Sequence, residues 1–247
     1  MHAASYEYYF ASGYYDARYP EPNGHVLHVV AQYLPTTPGH VIDFGCGTGR
    51  YTFWAAARSR LVVAFDVSDA AIEEISRRRD QVFANNIEIL GPDLESLERH
   101  VDANGPSDIV LAIFGVIAHI ESRNARCAAL ARLRKLMKAD GRLIVSVPNR
   151  ARRFRAEQRA AGERDGISYT RTHSGKELNF FYKLYNTREF CEELTDAGLL
   201  VERLLPESTF PESWVASSSV MRKLDQFLSR IIPPRYGYGL LAVCRPG

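Results

Sequence analysis

The chain has 247 residues, of which 46% are hydrophobic and 24% charged, proportions typical of a globular protein with a sizeable buried core. Its formal net charge of +2 gives no general attraction to nucleic acid or to an anionic membrane surface. No apolar run approaches the ~20 residues of a membrane helix, and the first residues lack the apolar core of a signal peptide, so we expect neither feature.

Strand and helix patterns alternate along the chain. Short apolar runs predict seven strands, at 40–44, 61–67, 87–90, 108–114, 142–148, 199–205 and 240–244. Helical spacing of apolar residues predicts helices at 48–58, from Asp69 onward, at 122–137 and at 187–197. Continuous apolar strands that alternate with helices indicate an α/β fold, in which a doubly wound parallel sheet is covered on both faces.

Two segments interrupt this alternation, at 148–185 and at 206–238. The first is rich in arginine and then polar, and the second holds turn residues around one amphipathic helix. We interpret both as insertions within one domain that spans 1–247, and we expect them to cover the ligand-binding face of the sheet.

The first predicted strand runs into a glycine-rich loop, VIDFGCGTGR, at 41–50. Gly45, Gly47 and Gly49 stand at every second position, where the chain must turn from a strand into a helix. Glycine permits left-handed backbone angles and a close approach of the backbone to a ligand. Because ligands of open parallel sheets bind beyond the carboxyl ends of the strands, this loop is the expected contact, and an unoccupied turn is the alternative.

The spacing of the loop distinguishes between nucleotide ligands. It is G-x-G-x-G, whereas a dinucleotide-binding loop reads G-x-G-x-x-G, and Arg50 occupies the position of that last glycine. The lysine of a phosphate-binding loop is also absent, so the loop suits a compact zwitterion. Asp66 follows the second strand, where an acid accepts hydrogen bonds from ribose hydroxyls, and Asp93 follows the third, within reach of an adenine amino group. Helix capping is the structural alternative for both acids.

These motifs together resemble those of the class I S-adenosylmethionine-dependent methyltransferases. VIDFGCGTGR is similar to the glycine motif of that family, and Asp66 and Asp93 stand at its ribose-binding and adenine-binding positions. SDIVLAIFGVIAHI and LRKLMKADGRLIVSVPN are similar to its fourth-strand and fifth-strand motifs. The resemblance covers residues 38–149 well and continues more weakly through 187–204.

The resemblance implies a Rossmann-like sheet of seven strands, mostly parallel, with the last strand antiparallel. It also implies S-adenosyl-L-methionine as the cofactor and S-adenosyl-L-homocysteine as its product. The segment before the first strand, 1–37, is then expected to form an aromatic lid over the cofactor. The cofactor-binding residues predicted on this basis are Asp43, Gly45, Cys46, Gly47, Gly49, Asp66, Val67, Asp93, Leu94, Phe114 and Gly115.

A base would assist methyl transfer to a hydroxyl group, and His119 after the fourth strand is the candidate. The family often has an acid before this histidine, whereas Ala118 stands there in this chain, which weakens an acid–histidine pair. A structural histidine that packs beneath the cofactor is the alternative. Tyr14, Arg18 and Tyr19 of the aromatic lid are predicted to bind the substrate, with anchoring of the lid as their alternative role.

The remaining features bear on partners and location. The arginine run Arg150–Arg164 follows the fifth strand, and AHIESRNARCAALARLRKLMKADGRL is similar to a segment of tRNA wobble-uridine methyltransferases. Such a run fits RNA phosphates, although an exposed arginine-rich helix is the alternative. The four cysteines form no C-x-x-C pair and the histidines form no ligand set, so we expect no metal and a reducing, cytoplasmic location.

The favoured function is therefore methyl transfer to an oxygen or nitrogen atom of a small molecule. An RNA methyltransferase is the first alternative, and the second is a non-catalytic module that keeps the fold and binds a nucleotide or a partner protein. The identity of the acceptor and the oligomeric state do not follow from the sequence.

Overall fold

The computed structural model of the protein describes residues 2–37, 39–162 and 166–247. Its strands are β1 His40–Phe44, β2 Leu61–Phe65, β3 Ile87–Leu90, β4 Ser107–Ala112, β5 Met137–Pro148, β6 Ile167–His173, β7 Lys176–Tyr182, β8 Leu199–Ser208 and β9 Gly239–Pro246. Its α-helices are α1 His2–Ala11, α2 Tyr14–Arg18, α3 Gly24–Ala31, α4 Thr52–Ala56, α5 Asp69–Gln81, α6 Leu94–Asn104, α7 Arg123–Lys135, α8 Arg155–Ala161, α9 Thr187–Asp196, α10 Glu212–Ser217 and α11 Ser219–Ile231.

Seven of the strands form one sheet in the order β3-β2-β1-β4-β5-β9-β8. The neighbouring strands from β3 to β5 pair in parallel, whereas β9 runs antiparallel to both of its neighbours. The predicted fold class, a mostly parallel seven-stranded sheet with an antiparallel last strand, is confirmed. The order reverses between β1 and β4, and this reversal opens a crevice at the carboxyl ends of the strands, where ligands of such sheets bind.

The sheet is buried on both faces, which explains the continuous apolar runs of its strands. All five residues of β1 are buried, and successive side chains point to opposite faces. Val41 belongs to an apolar cluster on one face that includes residues of α3 and α4, and Ile42 belongs to a cluster on the other face that includes residues of α6, α7 and α9. The described residues contain no helix long and apolar enough to cross a membrane.

The first insertion contains a β-hairpin that the sequence analysis treated as a polar stretch. Strands β6 and β7 pair antiparallel over seven residue pairs, outside the main sheet. Ser174 and Gly175 form the two-residue turn between them, and both have positive φ, 49° and 76°. This backbone shape is the one that joins tightly twisted strands, and a Ser-Gly pair is a signal for it. Residues of β6 alternate between buried or half-buried and exposed, so the run lacked the continuous apolar character of the central strands.

The observed ends of α4 and β5 differ from the predicted ones because of local structure. The helix predicted at 48–58 is only Thr52–Ala56, because the preceding loop takes left-handed backbone angles at its glycines. Strand β5 begins at Met137, ahead of the predicted 142. The Asp140-Gly141 pair, typical of turns, lies inside the strand beside a shift of register with β4. The division of 1–247 into one domain with an aromatic lid and two insertions stays a prediction.

Candidate active site

The glycine loop, residues 45–49, leaves β1 at the crevice of the sheet. Gly45, Gly47 and Gly49 have φ of +75°, +53° and +91°, which side chains disfavour. The backbone nitrogens of Gly45 and Cys46 donate to the carbonyl of Phe65 at 2.8 and 3.0 Å. A Cβ on Gly45 would lie 2.5 Å from the side chain of Val116. The loop is therefore held against the end of β2 and against the segment that follows β4.

Asp66 ties the end of β2 to this loop. Its buried carboxylate accepts hydrogen bonds from the backbone nitrogen of Gly47 at 2.8 Å and from that of Ser68 at 3.0 Å. Ser68, and not Asp66, caps α5 by accepting from Ala71. Burial raises the pKa of the Asp66 carboxyl above its usual value. The acid thus lies at the floor of the crevice, against the glycine loop, and not at a helix terminus.

Asp43 precedes the loop and Cys46 belongs to it, and the side chains of both are buried. Thr52 at the start of α4 donates its hydroxyl to Asp43 at 2.6 Å, which fixes the helix to the end of β1. Burial raises the pKa of Asp43 to about 6. Cys46 is buried among the apolar side chains of a small cluster that includes Ile75. The Asp43 hydrogen bond and the buried Cys46 side chain therefore anchor the glycine loop to the protein interior.

Asp93, Leu94 and Val67 lie at the edge of the crevice. Gly91 packs against the backbone of Asp66, so the segment after β3 lies beside the end of β2. The Asp93 carboxylate caps α6 by accepting a hydrogen bond from the backbone nitrogen of Glu95 at 3.0 Å, and it pairs with the Arg99 guanidinium at 3.1 Å. Leu94 is half-buried against the core, and Val67 is exposed. The capping alternative for Asp93 is thus realised in the structure, and its adenine-binding role stays a prediction.

Helices α1 and α2 lie over the glycine loop. A Cβ on Gly47 would be 3.2 Å from the ring of Phe10, the nearest side chain of α1. The carboxylate of Glu7 accepts from the backbone nitrogens of Asp69 and Ala70, at 3.1 and 2.9 Å, at the start of α5. These contacts place the aromatic lid against the crevice.

A second set of polar contacts, like those of Glu7, joins α2 to the glycine loop. Asp16 accepts from the hydroxyl of Thr48 at 2.7 Å and pairs with Arg78 of α5 at 2.8 Å. Each of the two lid helices therefore carries one acid that binds the edge of the crevice.

The lid also brings Tyr19 next to the segment after β4. Its buried ring meets Phe114 edge-on at 4.7 Å, and Arg18 donates from Nε to its hydroxyl at 3.0 Å. Phe114 and Gly115 both take left-handed backbone angles, at φ of 69° and 77°. Tyr14, by contrast, stacks on His173 of the hairpin turn at 4.3 Å. The structure therefore joins Arg18, Tyr19 and Phe114 in one place and directs Tyr14 to the hairpin.

His119 is wedged between the lid and the hairpin. It ends a short 3-10 turn, and its ring stacks on Tyr182 at 4.4 Å. Its Nδ1 lies 3.0 Å from the carbonyl oxygen of Phe181 and also contacts the hydroxyl of Tyr6. This geometry fixes the orientation of the ring. The role of His119 as a base stays a prediction.

Glu207, at the end of β8, was missed by the sequence analysis. Its side chain crosses β9 at Gly239, where an added Cβ would lie 2.2 Å from Oε2. Beyond the glycine, the Ser146 hydroxyl donates to Oε1 at 2.6 Å and itself accepts from the backbone nitrogen of Phe114 at 2.7 Å. Burial, followed by repulsion from Glu212, raises the pKa of Glu207 to about 7. Its raised pKa and its link through Ser146 to the segment after β4 make Glu207 a candidate for proton exchange.

Within the described ranges, no group of three or more histidine, cysteine or acidic side chains could hold a metal ion. The titratable side chains that the structure places at the crevice include Asp66, Glu207 and His119, together with tyrosines and arginines.

Comparison with known proteins identifies the architecture. Residues 42–143 match a family model described as a methyltransferase domain. No curated protein sequence shows significant similarity to the chain.

Several solved structures have the same fold over nearly the whole chain. The CcbJ methyltransferase from Streptomyces caelestis is 14% identical, with a TM-score of 0.63 over 92% of this chain and 91% of that one. An S-adenosylmethionine-dependent methyltransferase from Clostridium acetobutylicum is 11% identical, with a TM-score of 0.65 over 93% and 92%. The 1,6-didemethyltoxoflavin-N1-methyltransferase from Burkholderia thailandensis is 19% identical, with a TM-score of 0.61 over 99% and 88%.

Proposed function

Since the chain belongs to the class I S-adenosylmethionine-dependent methyltransferase family by its domain match and its fold, we propose that it transfers the methyl group of S-adenosylmethionine to an oxygen or nitrogen atom of a small-molecule acceptor. The family predicted from the sequence is confirmed. The observation that carries the proposal is the junction of the glycine loop with Asp66, whose carboxylate lies 2.8 Å from the nitrogen of Gly47.

The residues of the crevice fit this cofactor. Asp66 supplies carboxylate oxygens for the ribose hydroxyls, and the side-chain-free backbone at 45–47 supplies a surface for the methionine part. When bound, the cofactor supplies a methyl group on a positively charged sulfur, which becomes a neutral thioether after transfer. S-adenosylhomocysteine is bound in the structure of the Burkholderia relative, which supports the same product here.

The chain's own residues would align the acceptor and take its proton. Holding two reactants in register is worth several orders of magnitude in effective concentration. Glu207 is the candidate base, because its raised pKa of about 7 matches neutral conditions. His119 is the second candidate. The lid helices α1 and α2 would keep water from the crevice.

Two observations favour a small acceptor over RNA. First, the Burkholderia relative is described with bound 1,6-didemethyltoxoflavin, a small molecule. Second, part of the arginine run is engaged within the protein: Arg150 pairs with Glu189 at 3.2 Å, and Arg152 donates to the carbonyl of Tyr236 at 2.5 Å. Arg164, at the end of the run, lies outside the described residues. A cytoplasmic location stays a prediction.

The proposal is tested with methyl-labelled S-adenosylmethionine and a cell extract separated into small-molecule, RNA and protein fractions. We expect the label in the small-molecule fraction, where the product identifies the acceptor. Label in the RNA fraction would contradict the acceptor class and move attention to the exposed arginines. Absence of transfer, together with absence of cofactor binding, would support a non-catalytic module.

Loss of the charge of Glu7 is expected to weaken the closed lid. The Glu7→Gln substitution removes a negative charge from the N-terminus of α5, where such a charge stabilises by about 0.3–1 kcal/mol. The dissociation rate of S-adenosylhomocysteine should therefore rise about 2–5-fold, as measured by stopped-flow fluorescence. The control is Glu73→Gln, an exposed acid on the same helix. Equal dissociation rates for the two variants would contradict a role of Glu7 in holding the lid closed.

A further inference from the structure

Three arginines from two separate segments lie near enough to Tyr19 to interact with it: Arg18 lies 5.6 Å from the ring centre, and Arg153 and Arg171 interact electrostatically with its oxygen. Arg18 comes from the lid, whereas Arg153 and Arg171 come from the first insertion. Within residues 2–37, 39–162 and 166–247, none of the three forms an ion pair with a carboxylate. Arg50 also lies over the Tyr19 ring, at 5.5 Å, but its charge is matched by Glu212 at 2.5 Å.

Arg153 is the most enclosed of the three. Its guanidinium lies 5.3, 5.4 and 4.9 Å from the ring centres of Phe154, Tyr182 and Tyr238. Its Nε is buried and has no hydrogen-bond partner. Ring faces attract the cation, but they provide no acceptor for the buried Nε–H group. An unpaired buried donor of this kind costs free energy, so an acceptor is missing from its surroundings.

Arg171 reaches the same group of tyrosines from strand β6. Its guanidinium lies 5.4 Å from the ring centre of Tyr169. Burial works against its charge, whereas the oxygens around it favour the charge and keep its pKa above the ordinary arginine value. Those oxygens belong to Tyr19, Tyr169 and Tyr9.

The charges at this place do not balance. Glu207 is the buried carboxylate that faces Arg153, and burial raises its pKa to about 7, so it is partly neutral at physiological pH. Glu212 is already paired with Arg50. Among the residues that the structure describes, two or three guanidinium groups thus share at most one partly ionised acid. A buried cation is expensive unless an anion accompanies it.

We propose that the methyl acceptor carries an anionic oxygen group, a carboxylate or a phosphate, which Arg153 and Arg171 bind. This inference rests on the proposed function, because it assigns the substrate class of the same reaction. Planar guanidinium groups bind such groups through paired N–H donors, and the surrounding tyrosines provide rings and hydroxyls for the rest of the molecule. The anion neutralises the charge excess, and Glu207 stays available to the other end of the acceptor.

The test uses three small probes of similar shape: phenyl phosphate, benzoate and the neutral benzamide. Each is titrated into the full-length protein by calorimetry, with and without S-adenosylhomocysteine. We expect at least one anionic probe to bind about tenfold or more tightly than benzamide, as charged hydrogen bonds produce. Preference for phenyl phosphate indicates a phosphate-bearing acceptor, and preference for benzoate indicates a carboxylate. Equal binding of all three probes, or none, overturns the inference.

Arg153→Met separates a binding role from a structural one, because methionine keeps an apolar stem and removes the charge. If Arg153 binds the anion of the acceptor, the variant loses the preference for anionic probes. Its Tm without a probe then rises by about 2–4 °C. If Arg153 serves only to hold the neighbouring rings, the variant lowers Tm and keeps the preference, which would overturn the assignment. Arg155→Met, on the exposed start of α8, is the matched control and should behave as the wild type. Arg171→Met provides the same test should the first variant fail to fold.

The substrate class and the proposed function are refuted by different results. A wild-type protein that binds S-adenosylhomocysteine but does not distinguish the probes refutes the substrate class and leaves the proposed function intact. A protein that prefers the anionic probes without binding S-adenosylhomocysteine refutes the proposed function and retains an anion site.

Discussion

Replacement of Glu207 by glutamine is expected to lower the rate of methyl transfer by about 10²–10⁴-fold, the usual contribution of a general base. Glutamine has the same shape and still accepts the hydrogen bond that Ser146 donates to Oε1, so the segment after β4 keeps its position. The affinity for S-adenosylhomocysteine should therefore stay unchanged. Steady-state kinetics with the identified acceptor separate the loss of kcat from any change in KM.

The pH profile is the signature of this role. The wild-type rate should rise with pH through about 7, the pKa of Glu207, because only the carboxylate accepts a proton. The Glu207→Gln variant should lack this rise. Full activity with an unchanged profile would remove Glu207 as the base, and His119→Asn would then be the next variant to measure.

The pH dependence of the free energy of unfolding tests the pKa of Glu207 independently of catalysis. The pKa of Glu207 is about 7 in the folded protein against 4.5 for the ordinary side chain, so the folded state binds the proton more tightly. The free energy of unfolding therefore falls as pH rises from about 4.5 to about 7, by about 3 kcal/mol in total. Urea unfolding of Glu207→Gln should lack this contribution. Glu177→Gln, an exposed acid of the hairpin, serves as the control.

Substitution of Asp66 by alanine is expected to weaken S-adenosylhomocysteine binding by about 10²–10³-fold, because two charged hydrogen bonds to ribose are worth about 1.5–2 kcal/mol each. The substitution also removes the acceptor of the Gly47 nitrogen, 2.8 Å away. Asp66→Asn keeps an oxygen for that nitrogen and should bind with intermediate affinity. Calorimetric titration measures all three proteins.

Asp69→Ala is the matched control for Asp66, since Asp69 is an exposed acid three residues further along the chain. Its affinity should remain near that of the wild type, and thermal unfolding should show that every variant is folded. Unchanged affinity in Asp66→Ala would show that the cofactor site has been assigned to the wrong residues.

The central strands could be predicted from sequence because their burial has a simple signature. A parallel strand covered on both faces is apolar at every position, as β1 and β2 are, and such runs stand out between amphipathic helices. The glycine spacing and Asp66 follow from the same logic, since the strand ends must meet at one edge of the sheet. The hydrogen bond of 2.8 Å that the Gly47 nitrogen donates to the Asp66 carboxylate agrees with that expectation.

Other features depend on contacts that the sequence does not display. Strands β6 and β7 alternate between more buried and more exposed positions because they form a separate hairpin, and only the Ser-Gly turn signals them. Glu207 reaches Ser146, 61 positions earlier in the chain, only because β9 lies between their strands and has a glycine at the crossing point. Asp93 stands at the expected adenine-binding position, but its contacts in the structure are those of a helix cap, which the sequence alone could not distinguish from a ligand-binding role.

The most direct test of the proposed function is a calorimetric titration of the wild-type protein with S-adenosylhomocysteine and, separately, with NAD. We predict binding of S-adenosylhomocysteine at one site per chain and no comparable binding of NAD, because the loop lacks the last glycine of a dinucleotide-binding motif. Preference for NAD, or no binding of S-adenosylhomocysteine, would contradict the assignment of the crevice.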